Sequence, residues 1–246
     1  MFKRRSYKWS DGKQLQLDDS TLIMGILNGT PDSFSDGGRY NTTEAAVAHA
    51  KEMIAQGADV IDVGVESTRP GHTQISVDEE IERMKAILEP VLAVSTVPVS
   101  IDTYRAKSAE YALSKGAHIL NDIWGLRYDR DMAAVAAQYN VPVIIMHNQN
   151  DTNYGDIIED MKAFFFASVD IALKEGIKPQ NIWLDPGIGF GKTGAQNIEV
   201  LQRLGEITAY EYPVLLAPSR KRFIGTILND IPADQRDEGT VAACIT

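Results

Sequence analysis

The amino-acid sequence predicts an α/β fold of the TIM type, a (β/α)8 barrel of parallel strands. Short apolar segments alternate along the chain with longer segments whose apolar residues recur at helical spacing. No linker or change of composition divides the chain, and 246 residues is a usual length for such a barrel as one unit. Seven βα units can be counted. The prediction is therefore a single domain, 1–246, whose eighth βα unit is missing after Thr246.

The predicted elements follow one another in regular order. Strands are expected at 21–28, 59–64, 97–102, 117–121, 141–147, 181–185 and 212–217, and helices at 42–56, 77–94, 104–115, 131–139, 154–175, 196–207 and from about 234 onwards. Residues 1–20 carry Ser10-Asp11-Gly12 between two alternating segments. This pattern predicts an N-terminal hairpin that caps the barrel floor.

Composition limits the classes of partner and the location. A formal net charge of −10 argues against nucleic acid or an anionic membrane as the main partner. No apolar run approaches the roughly 20 residues that a membrane-spanning helix needs. The single cysteine, Cys244, excludes an intramolecular disulfide and fits a cytoplasmic protein. An anionic substrate would require positive charge to be gathered locally.

Polar residues end the predicted strands, where barrels of this type carry their active sites. They are Asn28, Glu66, Asp102, Asn121, His147 with Asn148, Asp185, and Ser219-Arg220-Lys221. Contact with water explains any one such residue equally well, but Asp102, Asn121 and Asp185 each close an apolar strand directly. Two carboxylates and an amide that converge at the mouth of the barrel, the end where the strands terminate, suit a flat heterocycle with several N–H donors. Lys221 could donate to a ring acceptor.

Two predicted loops, 30–40 and 66–71, each hold an arginine among Gly, Ser and Thr residues, a composition that suits a phosphate cradle. Arg39 and Arg69 would join Arg220, Lys221 and Arg222 to gather five basic groups at the mouth. The alternative is that Arg39 and Arg69 bridge the loops to surface acids.

The stretch 181–193 joins a strand end to a glycine-rich turn. Its apolar run stops on Asp185, and the glycines that follow let the backbone approach a ligand closely. The stretch ends in Gly191-Lys192-Thr193, which looks like the end of a P-loop. That nucleotide motif fails, because Pro186 stands where it requires glycine.

These motifs together resemble the dihydropteroate synthase family. The matching stretches are Met24-Gly-Ile-Leu-Asn28, Thr30-Pro-Asp-Ser-Phe-Ser-Asp-Gly-Gly38, Gly57-Ala-Asp-Val-Ile-Asp62, Glu66-Ser-Thr-Arg-Pro-Gly71, Ser100-Ile-Asp-Thr103, Asn121-Asp-Ile-Trp-Gly125, Met146-His-Asn148, Asp185-Pro-Gly-Ile-Gly-Phe-Gly-Lys192 and Ser219-Arg-Lys221. They run in family order across nearly the whole chain.

The resemblance implies a transferase that joins 6-hydroxymethyl-7,8-dihydropterin pyrophosphate to 4-aminobenzoate. The reaction releases pyrophosphate and forms 7,8-dihydropteroate in folate biosynthesis. The resemblance further implies a homodimer and competitive inhibition by sulfonamides. It implies Mg²⁺ on the pyrophosphate, held in part by Asn28.

The resemblance also implies roles for individual residues. It places Asp102, Asn121, Asp185 and Lys221 on the pterin ring, Met146 and Phe190 on the ring faces, and Phe34, Thr68, Pro70 and Lys221 on the aminobenzoate side, with Ser219 and Arg220 nearby and Arg69 among the groups that face the anionic leaving group. Asp102, Asp185 and Lys221 are the implied catalytic residues.

The sequence departs from the family pattern at a few positions. Gly29 stands where the family usually has valine, Val65 where a second glycine is common, and Ala217-Pro218 where a glycine and a small residue are usual. The family's Arg-x-His motif of the eighth strand is not in the chain. These departures favour an alternative, a catalytically impaired pterin-binding barrel, whereas the two intact loop motifs favour an active enzyme. A methyltetrahydrofolate-binding barrel, which would keep the pterin acids but not both loops, ranks last.

Overall fold

A computed structural model describes residues 4–29, 43–67 and 74–245. Four of the residues predicted to bind substrate therefore lie outside the described residues: Phe34, Thr68, Arg69 and Pro70. The same holds for Arg39 and for the loop 30–40.

The described chain alternates strands and helices after an initial hairpin. The strands are β1 Arg5–Lys8, β2 Gln14–Leu17, β3 Met24–Asn28, β4 Val60–Gly64, β5 Val99–Asp102, β6 Ile119–Asp122, β7 Val143–Met146 and β8 Ile182–Asp185. The helices are α1 Thr43–Ala55, α2 Val77–Val94, α3 Ala106–Ser114, α4 Met132–Tyr139, α5 Ile157–Lys174, α6 Gly194–Gln202, α7 Gly205–Thr208, α8 Arg222–Ile227 and α9 Asp237–Ile245.

Strands β3 to β8 form one parallel sheet in sequence order, with helices in the connections. This arrangement confirms the predicted α/β fold of the TIM type. The sheet is not closed into a ring within the described residues. Because all six strands run the same way, their C-terminal ends lie at one edge, and the register pairs Asp102 with Asn121 and Met146 with Asp185.

The strand predicted at 212–217 is reduced to a single bridge. The Leu184 amide donates to the Pro213 carbonyl at 2.8 Å, and the Leu215 amide donates to the Leu184 carbonyl at 2.8 Å. Only Val214 pairs, with Leu184. Pro213 and Pro218, at either end of this segment, have no backbone N–H to donate, which limits how far a ladder extends.

Local sequence accounts for the regular elements. Strand β7 is made of Val, Ile and Met residues that are all buried, as expected for a strand covered on both faces. In α2, Ser76 caps the first turn by accepting a hydrogen bond from the Glu79 amide at 3.1 Å. The same helix buries Met84, Leu88 and Val91, which recur at helical spacing on the face toward the sheet.

The N-terminal hairpin contacts the strands from the end opposite to the polar residues. Trp183 Nε1 donates a hydrogen bond to the Tyr7 hydroxyl at 2.8 Å, and Tyr7 packs with Val60, Ile119 and Ile144. Across residues 4–29, 43–67 and 74–245, no helix is both long and apolar enough to cross a membrane.

Candidate active site

Amide and carboxylate side chains cluster toward the C-terminal ends of β3 to β6. The members of this carboxylate cluster are Asn28, Asp62, Asp102 and Asn121. Asn121 Nδ2 donates to Asp62 Oδ2 at 3.2 Å in the buried part of the sheet. Gly64 lies between two of the predicted residues, since a Cβ there would be 3.4 Å from Asp102 Oδ2 and 3.6 Å from Asn28 Oδ1. The absence of a side chain at Gly64 therefore lets Asn28 and Asp102 approach each other above the strand.

Three oxygens of this cluster accept no hydrogen bond from the described residues. They are Asp62 Oδ1, Asp102 Oδ1 and Asn121 Oδ1, and all three are shielded from solvent. A buried acceptor without a donor costs free energy, so such atoms in a cleft are suited to a ligand that donates N–H groups.

The glycine-rich turn after β8 forms the opposite wall. Asp185 is buried, and its Oδ1 accepts a hydrogen bond from the Gly187 amide at 2.6 Å. Gly189 has φ +84, and a Cβ there would lie 2.7 Å from Lys221 Cδ, so only glycine lets the Lys221 side chain run along the turn. Lys221 Nζ donates to the Ile188 carbonyl and lies 4.5 Å from the centre of the Phe190 ring.

An apolar cluster lies beside these polar groups. Met146 is buried at the end of β7 and belongs to the same cluster as Tyr104 and Ile123, against which Phe190 and Trp124 pack. The structure thus brings together Met146 and Phe190, the two residues that the resemblance assigns to the faces of a ring.

The carboxylates and the lysine perturb one another. Burial raises the pKa of Asp102 well above its usual range, and the neighbouring Asp62 raises it further. Burial also raises the pKa of Asp185, against the opposing effect of Lys221. Conversely, burial lowers the pKa of Lys221 to about 8, while Asp185 and Asp102 oppose that change. Shifted pKa values in a cleft are typical of functional sites.

A buried ion network joins the residues that follow β4 and β5 to helices α2 and α3. Arg105 Nη1 lies 2.6 Å from Glu66 Oε2 and 2.7 Å from Glu80 Oε2. Glu80 also accepts hydrogen bonds from Thr103 Oγ1 at 2.7 Å and Ser108 Oγ at 2.6 Å. The network ties the residues that follow β4 and β5 to α2, which fixes the strand ends that carry the site.

Arg220 lies apart from the carboxylate cluster. Its guanidinium makes a two-pronged ion pair with Asp237 of α9, at 2.6 and 2.8 Å. The adjoining Ser219 is exposed. Of the five basic groups that the sequence predicted at the mouth, Lys221 lies beside the cluster, and Lys192, which was not among the five, lies there too. Arg222 is exposed, and Arg39 and Arg69 lie outside the described residues.

Among the described residues of this region, sequence reasoning missed Asp62 and Arg105, which are buried, and Lys192, which is partly buried. Asp62 is an acid within the apolar run of β4, and this contrast with Ile61 and Val63 was an available signal. For Lys192 and Arg105 the signal is weak, because both follow a strand end by several residues and only the folded turns bring them inward.

Two departures from the family pattern lie in contact with each other. A Cβ on Gly29 would lie 3.1 Å from Ile87 Cγ1 and 3.5 Å from Val65 Cγ1. Val65 is fully buried in the core. A valine at Gly29 would therefore crowd Ile87, while the Val65 methyl groups already occupy neighbouring space. The absence of a side chain at Gly29 thus leaves room for Ile87, and Val65 lies at ordinary van der Waals distance from that position.

Asn28 is the residue that the resemblance assigns to a metal ion. Within the described residues, no group of three His, Cys, Asp or Glu side chains could hold a metal ion. Mg²⁺ commonly takes only one or two protein oxygens and completes its shell with water and substrate phosphates. The amide oxygen of Asn28, near Asp102 Oδ2, fits that limited role.

The fold and this site define an enzyme class that holds a flat nitrogen heterocycle at the carboxyl ends of barrel strands. The model of the family described as "Pterin binding enzyme" matches residues 24–246, and the chain belongs to this family. One curated relative is the dihydropteroate synthase of Clostridium beijerinckii. It is 52% identical over 95% of this chain and 86% of the relative.

Solved structures of similar proteins bear the same name. The dihydropteroate synthase of Clostridium difficile with pteroic acid is 51% identical, with a TM-score of 0.87 over 92% of this chain and 86% of that chain. The enzyme of Xanthomonas albilineans with 4-aminobenzoic acid is 39% identical, with a TM-score of 0.90 over 96% and 86%. The enzyme of Yersinia pestis in a sulfonamide drug complex is 39% identical, with a TM-score of 0.88 over 93% and 86%.

Proposed function

We propose that this chain catalyses the dihydropteroate synthase reaction. It joins 6-hydroxymethyl-7,8-dihydropterin pyrophosphate to 4-aminobenzoate and releases pyrophosphate. Its relatives carry this name at about half identity over most of both chains. The observation that carries the proposal is the set of three buried acceptor oxygens, on Asp62, Asp102 and Asn121, that accept no hydrogen bond from the described residues and so suit the N–H edge of a pterin.

The chemistry follows from the charges at the site. The bond between the pterin methylene carbon and the pyrophosphate oxygen breaks, and its electron pair leaves with pyrophosphate. The electron-rich pterin carries the resulting positive charge, which the carboxylates of Asp102 and Asp185 stabilise. The aminobenzoate nitrogen then forms the new C–N bond and gives up a proton, so the reaction needs no protein nucleophile.

Other side chains hold the reactants. Lys221 donates to the pterin, and Met146 and Phe190 pack on its faces. The aminobenzoate side is assigned to Lys221, Ser219 and Arg220 together with Phe34, Thr68 and Pro70, and Arg69 faces the leaving group. Asn28 would hold Mg²⁺ on the pyrophosphate, and that ion supplies positive charge to the departing anion when bound.

The remaining proposals concern inhibition, assembly and organisation. Sulfonamides are expected to compete with 4-aminobenzoate, since they share its aniline ring. A homodimer is supported by the apolar side chains that α8 and α9 expose, namely Ile227 and Val241. We propose one domain with the hairpin capping its floor, and a cytoplasmic location is inferred from composition alone.

Turnover is tested with purified protein, pterin pyrophosphate, Mg²⁺ and 4-aminobenzoate, by measuring pyrophosphate release. Release that depends on 4-aminobenzoate is the expected result. Tight binding of pteroic acid without such release would instead support the catalytically impaired pterin-binding barrel.

The rate should depend on pH through Lys221 and the carboxylates. The active form has Lys221 protonated and Asp102 and Asp185 ionised. Because burial lowers the pKa of Lys221 to about 8, kcat/KM should fall above about pH 8. Because burial raises the pKa values of Asp102 and Asp185, the loss on the acid side should begin above the usual carboxylate range.

A profile of kcat/KM between about pH 5 and pH 10 checks this prediction. In Lys221→Arg the cation persists throughout that range, so the part of the basic fall that belongs to Lys221, near pH 8, should disappear even if the rate is lower. Lys174→Arg, on the exposed side of α5, is the control. A basic fall that is unchanged in Lys221→Arg would assign it to another group.

A further inference from the structure

The Lys192 ammonium group contacts three acceptors at the base of the glycine-rich turn. Its Nζ lies 3.0 Å from the Gly187 carbonyl, 3.0 Å from the Phe190 carbonyl and 3.0 Å from His147 Nδ1. An ammonium has three N–H donors and no acceptor, so each neighbour takes one donor. His147 must then be unprotonated at Nδ1 and carry its hydrogen on Nε2.

The turn that Lys192 closes lies directly against the segment after β7. A Cβ on Gly187, at φ +64, would lie 2.0 Å from the His147 carbonyl oxygen. A Cβ on Gly191, at φ +53, would lie 2.6 Å from the Gln149 carbonyl oxygen. The two backbones therefore touch with no side chain between them. The bond from Lys192 to His147 joins the same two segments.

Two functional side chains depend on the shape of this turn. Lys192 donates a hydrogen bond to the Phe190 carbonyl, and the centre of the Phe190 ring lies 4.5 Å from Lys221 Nζ. Lys221 in turn donates to the Ile188 carbonyl in the middle of the turn. A displacement of the turn would move the Phe190 ring and the anchor of the Lys221 ammonium together.

We propose that Lys192 is a positioning residue that clamps the turn 186–191 against His147 and so sets the Phe190 and Lys221 wall of the site. The inference rests on the proposed function, because it assigns a role within the same site. Lys192 acts through the backbone and through His147 rather than by contact with the reacting atoms.

The charges around Lys192 set the pH range in which it can hold all three acceptors. Burial lowers its pKa to about 7, Asp185 opposes that change and Lys221 adds to it. Burial, together with the charge of Lys192, lowers the pKa of His147 to about 3, so the imidazole stays neutral and able to accept at Nδ1. A neutral Lys192 amine has only two N–H donors, so it could not serve all three acceptors.

Calorimetry with pteroic acid as the probe tests the proposal in three variants. Lys192→Met keeps an unbranched side chain that is one atom shorter and removes every donor, and its Kd should rise by at least about tenfold. Lys192→Arg keeps the cation and its donors, and should restore most of the affinity. Lys174→Met, which removes an exposed lysine of α5, should bind as the unaltered protein does. Equal Kd values for Lys192→Met and the unaltered protein would overturn the proposal, as would Lys192→Arg binding no better than Lys192→Met.

Nitrogen-15 NMR of His147 gives a second readout that requires no variant to fold. In the unaltered protein at neutral pH, the Nε2–H tautomer is expected, with a hydrogen-bonded Nδ1. A protonated Nδ1 would overturn the proposal. This readout and the pteroic acid Kd do not depend on turnover, so an absence of pyrophosphate release would count against the proposed function without deciding the role of Lys192.

Discussion

Asp185→Asn is expected to weaken the binding of pteroic acid by about 10- to 100-fold, the range expected when a charged acceptor is lost from a buried site. The substitution keeps the shape of the side chain, and the asparagine oxygen can still accept the hydrogen bond from Gly187. The substitution removes a negative charge beside Lys221 and Lys192. In the unaltered protein, that charge of Asp185 partly offsets the lowering of both lysine pKa values by burial. It also replaces an acceptor with an amide N–H₂ that would face the N–H donors of a pterin.

Calorimetry with pteroic acid and a thermal melt of the same samples separate binding from folding. The melting temperature of Asp185→Asn should change little, because the turn after β8 keeps its hydrogen bond. Asp170→Asn serves as the matched control, since Asp170 lies on the surface of α5 in an ion pair with Lys174. An Asp185→Asn affinity equal to that of the control would remove Asp185 from the pterin site.

The site was predictable where strand position alone determines the direction of a side chain. Asp102, Asn121 and Asp185 each end an apolar strand, and a parallel sheet places all such ends at one edge. The spacing of the motifs therefore sufficed to bring them together. The role of Lys192 could not be predicted in this way. Comparison with the P-loop motif excluded a nucleotide-binding role, but the contacts of Lys192 depend on how the turn folds.

Element boundaries were predicted less well where the chain turns sharply. The helix expected at 196–207 is two helices, α6 and α7, and α6 begins earlier because Thr193 and Gln196 form a reciprocal capping box. The short helix α8 was not predicted, since six residues give too little periodicity to recognise. The turn before it depends on Arg220 at φ +52, a conformation that sequence patterns rarely disclose.

Arg105→Met should destabilise the fold by about 3–5 kcal/mol, the usual cost of removing one partner from a buried ion network. The Arg105 side chain is 10% exposed, and those of Glu66 and Glu80 are 4% and 1% exposed. Without the guanidinium, two carboxylates would remain near each other with little access to water. The hydrogen bonds from Thr103 and Ser108 to Glu80 cannot neutralise that charge.

Urea unfolding measures the effect as a change in the free energy of unfolding. Arg4→Met is the matched control, because Arg4 pairs with Asp19 where both side chains are largely exposed, and its loss should change the stability little. Adding Glu80→Gln to Arg105→Met should recover part of the lost stability, since the double variant leaves one fewer uncompensated charge. The double variant could instead be less stable than Arg105→Met by the full cost of a second lost contact. That result would show that repulsion between the two glutamates does not destabilise Arg105→Met. The effect of Arg105 would then come from its lost hydrogen bonds to Glu66, Glu80 and the Ile75 carbonyl rather than from charge repulsion.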